Sequence, residues 1–290
     1  MIERDLRIRI GTDAMQVAER ALAEDGPGDV TTRVSVEPDQ FGTAVIEFRS
    51  DGVLAGTAYA DAVTTACDLG GVIWQSATGS TIPAGTIVGA LQGNLARILR
   101  AERPLLNLLQ RAVGIATATR AYVDRVAGTH ARILHTRKTA PGLRLLDVSA
   151  VLAGGGHLHR LDLSHTLMVK DNHWRALERS GRPLEEVLGQ ARAEGVADCH
   201  VEVESLDQLE KASSAGATRL LLDNQTPETV RQWAAIARAR RQGIEIEATG
   251  GITLANVRGY AEAGADFISV GALTHSVKAA DVSLEVTLDG

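Results

Sequence analysis

The spacing of apolar positions changes along this chain, and each change predicts a different kind of element. Between Asp13 and Asp25, Met15, Val17, Ala18, Ala21 and Leu22 recur at helical spacing, and Gly26-Pro27-Gly28 stops the helix. The GDVTT stretch, Gly28 to Thr32, reads as a turn into extended chain. From Phe41 to Gly93 the period shortens. The runs TAVIEF, GVLAG, GVIWQ and TIVGAL, punctuated by Gly and by Pro83-Ala84-Gly85, predict a small sheet-rich unit with a helix around Ala58 to Leu69. Ile98 to Val126 returns to helical spacing, with Leu105, Leu106, Leu108, Leu109 and Val113 on a broad apolar face. Pro104 is expected in the first turn of a helix, which sets Arg103 at a helix mouth where a cation gains nothing from the dipole.

From Ala131 onward short strands and helices alternate. Strands are expected at ARILH, TLMVK, CHVEVE, TRLLLDN, IEIEAT and DFISVG, with helices such as SLDQLEKASSAG, TPETVRQWAAIARARRQG and LANVRGYAEAG between them. The strand runs are apolar and rich in β-branched residues, as strands buried on both faces must be. The alternation predicts a parallel α/β barrel.

Composition narrows the function classes. The 290 residues suffice for one large α/β domain, alone or with a smaller one, and 44% hydrophobic content supplies a sizeable core. Aromatics at 3% count against a base-stacking platform, and a net charge of -6 offers no pull toward a phosphate backbone. The two cysteines, Cys67 and Cys199, match no metal or disulfide spacing and read as buried thiols of a reducing compartment. No apolar run approaches the roughly 20 residues of a membrane span, and the N-terminal stretch lacks a signal-peptide core, so a cytoplasmic location is expected.

Candidate chemistry is densest between His135 and His173, which holds Arg137-Lys138, Gly154-Gly155-Gly156, His159-Arg160 and Lys170-Asp171. Arg137 and Lys138 follow the run ARILH, and Lys170 follows TLMV, so both groups sit where a buried strand ends. Of 30 basic residues only four are lysine, and two of those are Lys138 and Lys170. A chain that otherwise uses Arg keeps Lys where a compact ammonium is wanted. The remaining strand ends carry Glu202 and Glu204, Asp223, Thr249 and Gly250, and Gly271. If the sheet closes, these converge on one rim, the place where barrels carry their sites. TGGI, Thr249 to Ile252, suits a phosphate because glycine lets an anion approach the backbone. Glu202 and Asp223 beside a phosphorylated ligand suit Mg²⁺ or ribose hydroxyls, or else form a salt-bridge layer. His157, His159, His165 and His173 invite a zinc reading, but no cysteine or carboxylate joins them at ligand spacing.

Several stretches, in this order, resemble the quinolinate phosphoribosyltransferase family: LAEDGPGDVTT, RAERPLLNLLQRAVGIATAT, TRKTAPGLR, AVLAGGGHLHR, MVKDNH, VEVES, LLDN, ATGGI and ISVGALTHS. The resemblance implies an N-terminal α/β sandwich domain over 1–112, joined by a C-terminal tail 273–290, and an incomplete, about seven-stranded parallel α/β barrel over 113–272. It implies a homodimer or larger assembly, and phosphoribosyl transfer from phosphoribosyl pyrophosphate to quinolinate with Mg²⁺, giving nicotinate mononucleotide, pyrophosphate and carbon dioxide in NAD biosynthesis. Arg137, His159 and Arg160 would then bind the two carboxylates, and Arg103 of the AER motif would reach the neighbouring subunit's site. Lys138 and Lys170 would meet the phosphate charges, Glu202 and Asp223 the ribose and metal, and Thr249, Gly250 and Gly271 the 5′-phosphate.

Some positions depart from the family pattern. Asp162 stands where relatives usually have Gly, Val148 and Ser149 where they have Lys-Tyr, and Thr249 where they have Ser. An added carboxylate at Asp162 is expected to oppose a dianion, so that its replacement by Gly would favour quinolinate over a monoacid. Two further readings stand beside the first: a paralogue acting on another aromatic acid, and a Schiff-base barrel aldolase using Lys170. A non-catalytic relative associated with metal transport fits poorly with the retained KDNH and TRKT motifs.

Overall fold

The computed structural model describes residues 2–288. The first helix, α1 (Ile2–Glu24), is followed by the short α2 (Val30–Ser35), β1 (Phe41–Phe48), β2 (Gly52–Val53), α3 (Thr57–Ala66), β3 (Ile73–Trp74), β4 (Thr81–Ile82) and β5 (Thr86–Asn94). The long α4 (Leu95–Arg125) leads to β6 (Arg132–Leu134) and α5 (Arg144–Ala153). Next come β7 (Thr166–Val169), α6 (Asp171–Ser180), α7 (Leu184–Ala193), β8 (Asp198–Val203), α8 (Leu206–Ala215) and β9 (Arg219–Asp223). The chain ends with α9 (Pro227–Arg240), β10 (Glu245–Thr249), α10 (Val257–Glu262), β11 (Phe267–Ser269), α11 (Ala272–His275) and β12 (Val282–Leu288).

The chain divides into two compact units. The first comprises residues up to Arg120, Lys138–Gly155, and the stretch from Ala272 on. Its antiparallel sheet has the order β12-β1-β5-β3. In β1 the alternation foreseen from TAVIEF places Ala44, Ile46 and Phe48 in the core. The C-terminal β12 pairs along β1, and Gln110 Nε2 on α4 donates to Val282 O at 2.7 Å. Lys138–Gly155 groups with the first unit although it lies between Arg137 and Gly156 of the second. Arg111 on α4 explains this: its Nε and Nη2 donate to the two oxygens of buried Asp147 on α5 at 2.7 and 2.8 Å. Gly154, at the end of α5, lies so close to α4 that a Cβ would stand 2.5 Å from Ala116 O.

Two local expectations are corrected in this unit. Pro104 lies inside α4, not in its first turn, so Arg103 stands mid-helix. The helix begins earlier, where Asn94 Oδ1 accepts Arg97 N–H at 3.3 Å. Ile98, Ala101, Leu105, Leu109 and Ala112 then form one unbroken buried stripe. Packing of that stripe outweighs the roughly 3 kcal/mol cost of an interior proline. GDVTT, read as a turn into extended chain, instead starts α2: Asp29 Oδ1 accepts Thr32 N–H at 3.1 Å and caps the helix.

The second unit comprises Ala121–Arg137 and Gly156–Gly271. Its six strands form a parallel sheet in the order β6-β11-β10-β9-β8-β7, and all six were expected. The first strand lies beside the last, so the sheet wraps as a barrel does. A single parallel bridge, Leu134 to His157, adds one rung beyond β6. A full seventh strand does not form; His157 N–H donates to Ile133 O at 2.8 Å and the chain then leaves the sheet. The barrel is therefore incomplete between that rung and β7.

Candidate active site

In the second unit every C-terminal strand end carries a polar or glycine residue. Lys170 follows β7 and precedes α6. His173, at the third position of α6, accepts the Lys170 backbone N–H on Nδ1 at 3.0 Å, the part a Glu plays in a capping box. This fixes the residue from which Lys170 Nζ reaches the carboxylate of Glu202 in a short ion pair. Glu202 is buried near the end of β8, and its carbonyl accepts Trp174 Nε1 at 2.8 Å. Glu204 lies past the strand end with its side chain in solvent.

The next two strand ends interlock. Asp223 ends β9, and its Oδ2 accepts Asn224 Nδ2 at 2.6 Å. Asn224 takes a left-handed backbone, φ 53°, and its N–H donates to Thr249 O on β10 at 2.9 Å. Gly250 and Gly251 follow Thr249 with φ of 79° and 60°. A Cβ on Gly250 would stand 2.2 Å from Asn224 Oδ1, so this glycine is needed for space as well as for backbone angle. Nothing lies within 4 Å of a Cβ on Gly251, whose turn opens outward. Asn256 closes the turn by donating from Nδ2 to Gly251 O at 3.0 Å and accepting Thr253 N–H at 2.7 Å. Successive glycines of this kind leave backbone N–H groups able to cradle an anion. Gly271 follows β11 by two residues, after Val270, whose N–H bonds Leu134 O at 3.1 Å.

The basic end lies beyond β6. Arg137 is half-buried, and its Nε is shut off from solvent with no hydrogen-bond acceptor among the described residues. Arg160 is also half-buried; burial first, then the nearby Arg137, push its pKa below the usual guanidinium value, while Glu247 pulls it up. Two guanidiniums that disfavour each other, one with an unused donor, form a pair that an anion would stabilise. His159 behaves differently from the expectation that it donates to a ligand. Its side chain is only 8% exposed; Nδ1 accepts Arg160 N–H at 2.7 Å and Nε2 faces Glu247 Oε2 at 3.3 Å. Both ring nitrogens are thus engaged within the protein.

Lys138 and Arg103 belong to the first unit. Lys138 is exposed, and its carbonyl accepts Thr274 Oγ1 at 2.8 Å. The Arg103 side chain is 62% exposed and lies 3.7 Å from Glu102. No three His, Cys, Asp or Glu side chains converge as metal ligands among the described residues, so the histidines build no zinc site there. Asp162 closes a local turn: Oδ1 accepts Ser164 N–H at 3.0 Å and lies 3.4 Å from His165 Nδ1. Val148 is in the core, and Ser149 Oγ bonds Leu146 O at 2.8 Å, so these departures are absorbed by local structure.

Comparison with known proteins identifies the family of the chain. The model of the quinolinate phosphoribosyl transferase C-terminal domain matches residues 115–285, and that of the N-terminal domain matches residues 29–113. The chain belongs to the quinolinate phosphoribosyltransferase family. A probable nicotinate-nucleotide pyrophosphorylase [carboxylating] of Bacillus subtilis is 39% identical over 92% of this chain and 91% of its own length. The nicotinate-nucleotide pyrophosphorylase [carboxylating] of Mycobacterium leprae is 38% identical, covering 94% and 97% respectively. Among solved structures, nicotinate-nucleotide pyrophosphorylase from Francisella tularensis superposes with a TM-score of 0.87 at 33% identity, over 96% of this chain and 97% of that one.

Sequence reasoning missed one feature of this quinolinate phosphoribosyltransferase-family sheet, its polar interior. His200 and Glu202 on β8, Glu247 on β10 and Ser269 on β11 are buried polar residues, joined by the largely buried Arg219 of β9. Arg219 Nη1 donates to Glu247 Oε2 at 3.1 Å, and its guanidinium lies 3.8 Å over the Phe267 ring. The signal was present in IEIEAT, where a carboxylate takes every second position of a strand that is otherwise buried.

Proposed function

We propose that this chain transfers the phosphoribosyl group of phosphoribosyl pyrophosphate to quinolinate, with decarboxylation, as the names of its relatives indicate. The carrying observation is the Arg137–Arg160 pair with its unsatisfied Nε, in the same unit as the Lys170–Glu202 pair, Asp223 and the Thr249-Gly250-Gly251 turn. Quinolinate offers two adjacent carboxylates to the guanidiniums. The glycine turn and Gly271 suit the 5′-phosphate, and Glu202 and Asp223 suit the ribose hydroxyls.

In the reaction the ring nitrogen bonds to the anomeric carbon as pyrophosphate leaves with its electron pair. Lys170 stabilises the charge that moves onto the leaving group. The alkylated pyridinium then accepts the electrons released when the adjacent carboxylate departs as carbon dioxide, and the ring carbon takes up a proton. Protein groups here position and desolvate. The donor set fits Mg²⁺ only as a companion of the diphosphate: Glu202 and Asp223 stand on different strands without a third protein ligand, and Mg²⁺ is commonly held by one or two carboxylates plus substrate phosphates. Bound there, it would neutralise leaving-group charge. Lys170 is held in an ion pair with Glu202, unlike an aldolase lysine desolvated as a free amine. Arg103, exposed on α4, would complete the site of a second copy in a homodimer. No described helix is long and apolar enough to cross a membrane, consistent with the cytoplasmic location proposed here.

The test is pyrophosphate release with quinolinate, phosphoribosyl pyrophosphate and MgCl2, with nicotinate mononucleotide identified as product. Turnover of another aromatic acid, with none of quinolinate, would overturn this assignment.

A further inference from the structure

Beneath the strand ends of the second unit lies a buried carboxylate to which the reaction above gives no task. Glu247 on β10 is 1% exposed. Its Oε1 accepts Ser269 Oγ at 2.5 Å, and its Oε2 accepts Arg219 Nη1 at 3.1 Å and faces His159 Nε2 at 3.3 Å. The other ring nitrogen decides the tautomer of His159. Nδ1 lies 2.7 Å from the backbone N–H of Arg160 and must accept it, so Nε2 carries the proton and donates to Glu247.

A second imidazole accepts the preceding backbone N–H. The backbone N–H of His159 donates to His135 Nε2 at 3.0 Å. His135 therefore carries its proton on Nδ1, which donates to Thr136 O at 3.2 Å. Two successive backbone N–H groups, of residues 159 and 160, thus end on imidazole nitrogens. One imidazole is fixed by Glu247; the other belongs to the segment that leads directly into Arg137. The HLHR backbone is held at residues 159 and 160 by the rings of His135 and His159.

We infer that Glu247 is a positioning residue for the acid-binding arginines: it holds the His159 ring, and that ring holds the backbone from which Arg160 extends. This inference rests on the reading of Arg137 and Arg160 as the donors to the aromatic dicarboxylate. It assigns His159 a role different from direct contact with that substrate. Glu247 also lies near enough to favour the charged form of Arg160, against burial and Arg137.

Glu247→Ala removes the acceptor and leaves His159 Nε2 and one Arg219 bond without it. Glu247→Gln can keep one oxygen on both donors while Ser269 accepts from its amide. Loss of a hydrogen bond to a charged group predicts that Glu247→Ala raises the KM for quinolinate about tenfold to hundredfold, whereas Glu247→Gln stays within about threefold of wild type. In both variants the KM for phosphoribosyl pyrophosphate should stay within about twofold, because that substrate does not depend on the Arg160 backbone. Equal effects on the two substrates, or equal effects of Ala and Gln, would overturn the positioning role. Should Glu247→Ala not fold, the wild-type protein labelled with ¹⁵N-histidine carries the test. The His159 signals, assigned with a His159→Asn variant, must show the Nε2–H tautomer both alone and with benzene-1,2-dicarboxylate bound. An Nδ1–H tautomer, an imidazolium, or a switch on binding would refute the inference. Failure of the wild type to turn over quinolinate removes the functional reading instead, an outcome separate from either result.

Discussion

Gly250 and Gly251 are neighbours of one residue type, both in left-handed backbone, yet their surroundings predict different costs for the same substitution. At either position Ala pays the left-handed penalty, about 1–2 kcal/mol. At Gly251 nothing stands within 4 Å of the new Cβ, so that penalty is the whole expected cost. At Gly250 the Cβ would fall 2.2 Å from Asn224 Oδ1 and 2.8 Å from Asn224 N, and the second of these is backbone that a side-chain rotation cannot clear. Asn224 must move, which breaks its bonds to Asp223 Oδ2 and Thr249 O. Losing the charge-assisted bond alone adds about 1.5–3 kcal/mol. Gly250→Ala should therefore destabilise by about 3–5 kcal/mol and Gly251→Ala by about 1–2 kcal/mol, compared by urea midpoints at constant m. Both should raise the KM for phosphoribosyl pyrophosphate, since either methyl crowds the turn where the 5′-phosphate is proposed to sit. Adding Asn224→Gly to Gly250→Ala removes the closest clash and should recover part of the stability. Equal destabilisation by the two alanines would refute the interlock of the β9 and β10 ends.

Lys138→Ala should abolish turnover while leaving the urea midpoint nearly unchanged, whereas Lys170→Ala should abolish turnover and also lower the midpoint, because it leaves the buried Glu202 carboxylate without its partner; mixing Arg103→Ala with Lys138→Ala subunits should restore part of the activity, and no recovery in verified mixed dimers would count against a shared site. Asp162→Gly should change kcat/KM for quinolinate and nicotinate equally, because the carboxylate is engaged by Ser164 and His165; a gain confined to the dianion would reinstate the repulsion expected from sequence. Stability should fall with acid in two stages. Burial, then Arg219, lower the His200 pKa from 6.5 to about 4, so its stabilising neutral form is favoured above pH 6.5 and stability is lost between 6.5 and 4. Burial would raise the pKa of Glu247, but His159, Ser269 and Arg219 outweigh it and hold it at about 2 against 4.5, so that contribution is lost as pH falls from 4.5 toward 2. His200→Gln should delay the onset and Glu247→Gln should flatten the lower stage, read from urea midpoints across pH; unchanged curves would exclude both groups.

Periodic burial made most of the fold legible. The six strands of the parallel sheet were each announced by an apolar run, because a strand buried on both faces has little freedom in composition. Features set by competition were harder to read. Pro104 signals a helix start by its own chemistry, and only the continuous stripe from Ile98 to Ala112 shows that the helix runs through it. Asp29 in GDVTT had both turn and cap chemistry, and nothing local chose between them. Instead of a seventh strand, the segment after Gly156 makes one rung, and the N–H groups of residues 159 and 160 go to imidazoles.

That diversion also limits how far site residues can be inferred from type and position alone. Arg137, His159 and Arg160 all fall between His135 and His173 and all offer N–H donors on paper. In the fold, Arg137 Nε is left without an acceptor while both nitrogens of His159 are occupied. A histidine so placed contributes by accepting a backbone N–H, a role that no inventory of charged side chains contains. The carboxylate that makes this possible sits inside a strand, where the pattern IEIEAT reads as core with an interruption. Burying Glu247 is tolerable only because Ser269, Arg219 and His159 together satisfy it, and those partners come from β11, β9 and the segment beyond β6. The stability of the buried carboxylate and the aim of the arginine therefore depend on the same hydrogen bonds, so a change that weakens one should be felt in the other.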